Sequence, residues 1–127
     1  MAKTQTVERP VLKPPFGAPH VYVLAVINGD DPYRTHRVDR RETLVGRGDD
    51  VHFHLDDEEV SGHHFSLRVD GAICTIHELG SRNGTALNGR KLRANVSQRL
   101  KHLDEIQVGN TRILVLTGRF HQRPRRP

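Results

Sequence analysis

Apolar residues along this chain come in short runs that alternate with polar ones and never settle into a helical period. Runs such as Tyr22-Val23-Leu24-Ala25-Val26, Phe65-Ser66-Leu67-Arg68-Val69 and Ile113-Leu114-Val115-Leu116 are rich in β-branched and aromatic residues and have strand length. The pattern predicts strands at 20–28, 33–38, 42–47, 51–54, 64–69, 72–78, 105–109 and 111–117, with shorter ones near 85–88, 91–92 and 97–100. The stretch 92–103 comes nearest to a 3.6-residue period, and β-branched and polar residues break it. Between the runs stand residues that accept positive φ or initiate turns: Asn28-Gly29, Asp70-Gly71, Gly80-Ser81, Asn83-Gly84, Asn88-Gly89 and Gly109-Asn110. Asp70-Gly71 and Gly109-Asn110, each between alternating runs, predict hairpins. The expected architecture is all-β, sheet stacked on sheet, with no significant helix.

The ends are different. Residues 1–19 carry Pro10, Pro14, Pro15 and Pro19 with little apolar periodicity, and 118–127 carry two prolines among four arginines. They are expected to form a flexible Pro-rich arm and a basic tail around one domain at 20–117. This division changes the meaning of the charge. The chain has 127 residues and a net charge of +5, but Lys3, Arg9 and Lys13 against Glu8 give the arm +2, and Arg119, Arg123, Arg125 and Arg126 give the tail +4. The domain between them carries a net −1. That argues against a fold built to bind nucleic acid, and no specific nucleic-acid partner is expected. Cys74 is the single cysteine, no charged-then-apolar leader opens the chain, and no apolar run approaches the roughly 20 residues needed to cross a bilayer. The expectation is a cytoplasmic protein without membrane attachment.

Three stretches carry candidate chemistry: Gly46-Arg47 after a strand, Ser61-Gly62-His63-His64, and Ser81-Arg82-Asn83-Gly84-Thr85 followed by Asn88-Gly89. Their order and spacing, about fourteen residues from Arg47 to Ser61 and about twenty more to Asn83, resemble the forkhead-associated (FHA) family. The resemblance covers roughly 21–117. It implies a two-sheet β-sandwich of about eleven strands, FHA/SMAD-like, whose loops at one end bind a phosphothreonine-containing protein, itself a kinase substrate or a kinase. It implies neither catalysis nor a cofactor. Of the matching positions, Arg47, Ser61, Gly62, Arg82 and Asn83 would contact the phosphopeptide, Asn83 by holding its main chain. Gly46, His64, Gly84, Thr85, Asn88 and Gly89 would be architectural.

The residue types suit that chemistry. A phosphoryl group brings about −1.5 to −2 charges and three acceptor oxygens. Arg47 offers a guanidinium, Ser61 a hydroxyl and a backbone N–H in a small anion nest, and Arg82 a second cation through side chain or backbone. Gly62 departs from many family members, where a side chain helps line the pocket; here only an N–H is on offer. The residue three places after the phosphothreonine is often selected in the family, and Glu59, His63 and Arg82 are the candidates for reading it. Thr4 and Thr6 in the arm offer an internal ligand if phosphorylated.

Taken singly, these residues have plainer explanations: a surface ion pair at Arg47, a turn hydroxyl at Ser61, a hairpin turn at Asn83-Gly84. Their coincidence outweighs those explanations. His52, His54, His63 and His64 invite a metal site, but paired cysteines and an HExxH motif are lacking. Ser61 with His64 lacks the G-x-S-x-G elbow and third member of a hydrolase triad.

Overall fold

A computed structural model describes residues 20–119. The arm, most of the tail, Thr4 and Thr6 lie outside the described residues. Eleven strands run in chain order: β1 (His20–Val26), β2 (Thr35–Val38), β3 (Glu42–Gly46), β4 (Phe53–His54), β5 (Phe65–Asp70), β6 (Ile73–Glu78), β7 (Thr85–Leu87), β8 (Arg90–Lys91), β9 (Ser97–Arg99), β10 (Glu105–Val108) and β11 (Thr111–Arg119). Among the described residues there is no helix.

The strands form a six-stranded sheet in the order β2-β1-β11-β10-β7-β8 and a five-stranded sheet in the order β4-β3-β5-β6-β9. Alternation supplies the core. Tyr22, Leu24 and Val26 of β1, with Ile113 and Val115 of β11, meet Val45, Phe65, Leu67, Cys74 and Ile76 from the other sheet. Burial pushes the Cys74 thiol up to about 12, so it stays a protonated core residue.

The predicted hairpins close as their turn residues require. Asp70 pairs with Ile73 across Gly71 at φ +65°, and Val108 pairs with Thr111 across Gly109 at φ +56°. Asn88 and Gly89 both take positive φ between Leu87 and Arg90, which suits a type I′ turn. β4 is the exception to hairpin logic: it pairs with β3 in parallel, Val45 opposite Phe53.

This topology gathers five loops at one rim: 27–34, 47–52, 55–64, 79–84 and the turn at 109–110. Asn28 bridges two of them, its Nδ2 donating to Asn110 O at 2.9 Å and its Oδ1 accepting from Arg112 N at 2.8 Å. Gly46 lies at the tightest crossing. A Cβ there would sit 2.1 Å from Gly62 O, because the 61–62 backbone passes directly over it. Gly46→Ala is therefore expected to destabilise the domain by at least about 1–3 kcal/mol, the cost of forcing an extra methyl into packed backbone. Urea unfolding checks this, and a wild-type midpoint would contradict it.

Candidate functional site

Arg47 and Ser61 come together through backbone geometry. Arg47 N donates to Ser61 O at 2.9 Å, Gly48 N to Gly62 O at 3.0 Å, and His64 N to Val45 O at 2.9 Å. The two loops thus extend the β3–β5 ladder past the strand ends. Arg47 is exposed, and its Nε donates to Val60 O at 3.2 Å. Its terminal nitrogens have no hydrogen bond or ion pair among the described residues, so the surface-pair explanation does not apply.

His64 is the strut beneath these loops. It is fully buried; Nδ1 accepts from Ser61 N at 2.9 Å and Nε2 lies 2.8 Å from Gly84 O. Since Nδ1 must keep its lone pair for Ser61 N–H, Nε2 carries the proton and donates to Gly84 O. One ring thereby joins the 55–64 and 79–84 loops. It touches the main chain of Ser61 rather than its hydroxyl, which leaves no nucleophile–base pair.

The same bond corrects one expectation. Ser61 N–H is spent on His64 and is not part of an anion nest. The unspent backbone donor beside it is Gly62 N–H, which has no acceptor among the described residues. A Cβ at Gly62 would meet nothing within 4 Å, so the glycine leaves open space where a side chain would fit.

Ser61 Oγ accepts from Arg82 N at 3.0 Å. The backbone of Arg82 is therefore committed, and only its side chain is left as a cation; Nη2 makes a 3.3 Å bond to Glu58 O. Asn83 Nδ2 donates to Glu59 O at 3.0 Å and to Glu59 Oε1 at 2.9 Å, while its Oδ1 accepts nothing among the described residues. Arg47, Ser61, Gly62, Arg82 and Asn83 accordingly occupy one continuous surface, with Gly46, His64, Gly84 and Thr85 behind it. Asn88 stands apart: its side chain accepts from Glu105 N at 2.8 Å and donates to Asp104 Oδ1 at 2.9 Å, fixing the far end of the β7–β8 turn. Gly89 lies beside it.

Sequence reasoning missed the two carboxylates that hold the loops. Glu78, buried at 4% exposure, accepts from Ser81 N at 2.6 Å, Ser81 Oγ at 2.7 Å and Thr85 Oγ1 at 2.7 Å. Burial alone would raise its pKa, but the hydrogen bonds from Thr85 and Ser81 overcome that and hold it below the ordinary glutamate value. Asp57 does the same for the neighbouring loops. Its Oδ1 accepts from Glu59 N, and its Oδ2 from Asn110 N and Thr111 Oγ1. Burial opposes its ionisation, and these donors again win. A Glu three residues before a turn serine is the only sequence signal for Glu78, and it is common; the hydroxyl that Asp57 binds, Thr111, is too distant in the chain to give one.

The remaining histidines are separately engaged. His52 Nδ1 accepts from Leu44 N, His54 Nε2 lies 2.9 Å from Arg47 O, and His63 Nε2 lies 2.9 Å from the Asp50 carboxylate. Among the described residues no three His, Cys, Asp or Glu side chains gather as a metal-binding group.

Beside Asn83 opens a cleft of about 480 Å³. Its walls include Glu59, Asn83, Gly84, Lys91, Gln107 and Asn110. Lys91 leans over Gly84, its Cε lying 2.6 Å from where a Cβ of residue 84 would be. Of the three residues nominated for reading a flanking position, only Glu59 lines this cleft; His63 and Arg82 do not.

The FHA domain family model matches residues 43–109, more than half of the chain. The chain belongs to the FHA domain family. It is 33% identical over 86 residues to the FHA domain-containing protein FhaA of Mycobacterium tuberculosis, covering 68% of this chain and 16% of FhaA. It is also 33% identical over 96 residues to the glycogen accumulation regulator GarA of Mycolicibacterium smegmatis, covering 76% of this chain and 59% of GarA. The match therefore spans less than two thirds of either relative. A structure solved in a study of phosphothreonine-dependent FHA domain interactions superposes with a TM-score of 0.69 at 30% identity, covering 80% of this chain and 98% of that one. GarA is named a regulator, and a further relative, of Corynebacterium jeikeium and 33% identical over 96 residues (76% of this chain and 65% of that protein), is named an oxoglutarate dehydrogenase inhibitor. Among the described residues no helix is long and apolar enough to cross a membrane.

The Glu78 network yields a pH prediction. A carboxyl whose pKa is depressed on folding adds stability that is fully present above its unfolded value and is lost as pH falls through the folded one. Glu78→Gln is expected to cost about 1–3 kcal/mol near neutrality, because an amide cannot accept from all three donors. It should also flatten the acid limb of stability. Urea titrations from neutral pH down through the carboxylate range check this, and an unchanged acid limb would contradict it.

Proposed function

We propose that this FHA domain is a non-catalytic, cytoplasmic module that recognises phosphothreonine in partner proteins and mediates phosphorylation-dependent protein–protein interaction in signalling. The observation that carries the reading is the set of donors left unspent on otherwise committed loops: the terminal nitrogens of Arg47, the Ser61 hydroxyl hydrogen and Gly62 N–H. Arg47 supplies the charge-assisted contact to the phosphate, with Ser61 and Gly62 beside it and the Arg82 side chain as second cation. Asn83 Oδ1 accepts from the peptide main chain, while its amide nitrogen stays on Glu59. Relatives named for phosphothreonine-dependent interaction support the ligand class. Burying the threonine methyl is worth about 0.8 kcal/mol by area, so stronger rejection of phosphoserine requires a different rotamer of the bound residue.

Fluorescence anisotropy with a degenerate phosphothreonine peptide library, against phosphoserine and unphosphorylated controls, tests the reading. Arg47→Ala is expected to weaken binding by at least about 30-fold, corresponding to about 2 kcal/mol for a truncated charged contact. Being exposed, the substitution should move stability by less than about 1 kcal/mol. Full binding by this variant, or equal binding of unphosphorylated peptide, would reject the proposal.

The cleft beside Asn83 receives a side chain flanking the phosphothreonine. Lys91 has no ion pair among the described residues, and the Gln107 and Asn110 amides have no side-chain hydrogen bonds there. Glu59, the opposing charge, is already engaged by Asn83. An acidic flanking residue is therefore favoured. Lys91→Glu should reduce that preference by about three- to fivefold, as expected for an exposed pair, with phosphate dependence intact. An unaltered library profile would discard this assignment.

A further inference from the structure

Charge is unevenly laid out on the folded domain. Residues 20–117 carry a net −1, yet residues 90–101 hold Arg90, Lys91, Arg93, Arg99 and Lys101 and no Asp or Glu. All five are exposed, and among the described residues none makes a salt bridge. Lys91 leans over Gly84 and belongs to the cleft. The other four fall on β8, on β9 and on the residues that join or follow them, along the lateral side where β8 ends one sheet and β9 ends the other. The carboxylates nearest in sequence are engaged elsewhere: Glu78 by Ser81 and Thr85, Asp104 by Asn88 and Lys101 N, and Glu105 by Arg112.

The same side has an open backbone edge. β9 pairs with β6 alone, Gln98 opposite Ile76. Leu100 N donates to Cys74 O at 2.8 Å. By the alternation of an antiparallel ladder Gln98 also faces β6, whereas Ser97 and Arg99 turn their N–H and C=O groups away from it. Among the described residues those groups have no partner. All three residues of β9 are exposed. The β2 edge is open in the same way at Thr35 and Arg37. There, however, the signs are mixed along Asp31, Arg34, Arg37, Asp39 and Arg40, with Arg40 3.6 Å from Asp39. Only at β9 does an open edge coincide with charge of one sign. Cations of one sign on an edge keep two copies from pairing through it, and they attract an extended segment of the opposite sign.

We propose that the β9 edge is a second interaction surface, which takes an extended acidic segment of a partner protein as an added strand. Its backbone pairs with Ser97 and Arg99, and acidic side chains at alternate positions lie beside Arg99 on the outer face of the sheet. Arg93 and Lys101 flank the two ends of β9. A peptide fits this edge better than a nucleic acid does, because the outward carbonyls accept from peptide N–H groups and repel phosphate oxygens. β9 stands three strands from β3 in its sheet, about 14 Å by strand spacing, so the surface is separate from Arg47. The inference does not rest on the phosphopeptide reading.

Titrating an unphosphorylated peptide of alternating glutamate and valine into the isotope-labelled full chain tests it by NMR. The expected result is shifted amides at Ser97 and Arg99 with slowed exchange against solvent, unmoved amides at Arg47 and Gly62, and no response to a lysine–valine peptide. Two variants separate charge from backbone, with the thermal midpoint of each reporting its fold. Arg99→Glu should weaken binding by about fivefold or more. Ser97→Pro removes an outward N–H, breaks no bond to β6 and keeps every cation, and it too should weaken binding. Unchanged Ser97 and Arg99 amides at millimolar peptide would overturn the proposal, as would shifts confined to Arg47, Ser61 and Gly62. Undiminished binding by Arg99→Glu or by folded Ser97→Pro would do the same. So would tighter binding of an oligothymidylate than of the acidic peptide, because the occupant would then be a nucleic acid.

Discussion

The carbonyl of Gly62 occupies the place where any side chain at position 46 would begin. From that close approach follow the backbone bonds between 47–48 and 61–62, and from those the position of Arg47 beside Ser61. Loops pay an entropic cost for order that strands offset with ladders. Here the ladder between β3 and β5 is continued by irregular backbone, so the first loop residues inherit the rigidity of the sheet.

Each further loop is held by one side chain that takes two or three hydrogen bonds, His64 and Glu78 buried and Asp57 half-buried. His64 spans two loops with its two nitrogens, Glu78 gathers two donors from Ser81 in the 79–84 turn and a third from Thr85 at the start of β7, and Asp57 ties 55–64 to the β10–β11 turn. A buried polar group is costly unless its partners are present, so these networks stabilise one arrangement of the rim and disfavour others. Their saturation also defines the exposed surface by subtraction. Among the described residues, the donors at this surface that the scaffold leaves unspent include those of Arg47, Ser61, Gly62 and the Arg82 side chain, and Lys91 stands in the neighbouring cleft. Preorganised donors of this kind require little rearrangement when an anion arrives.

Strand content, turn positions and the grouping of site residues were legible in the chain because each rests on local signals. Alternation located β1, β5, β6 and β11 to within a residue or two, and Gly71, Asn88-Gly89 and Gly109 adopt the positive φ that such turns demand. Arg47, Ser61, Gly62, Arg82 and Asn83 lie side by side while Asn88 and Gly89 stand apart, and the use of their atoms was not readable. Ser61 was expected to present its N–H, and Arg82 either its side chain or its backbone; the structure commits the Ser61 N–H to His64 and the Arg82 N–H to Ser61 Oγ, which leaves the Arg82 side chain. Glu78 and Asp57 went unnoticed, since a carboxylate near a turn is ordinary until the fold brings three donors to it.

By itself, then, the amino-acid sequence determined an all-β domain of the FHA family, the residues at its turns and the set of polar side chains at one rim, because periodicity, turn chemistry and motif spacing act over a few residues. Tertiary structure decided the order of strands in each sheet, the parallel return of β4 against β3 and the partner of each hydrogen-bonding atom. Those depend on contacts between segments far apart in the chain. Which donor is spent and which stays free is settled only when the backbone of one loop crosses another.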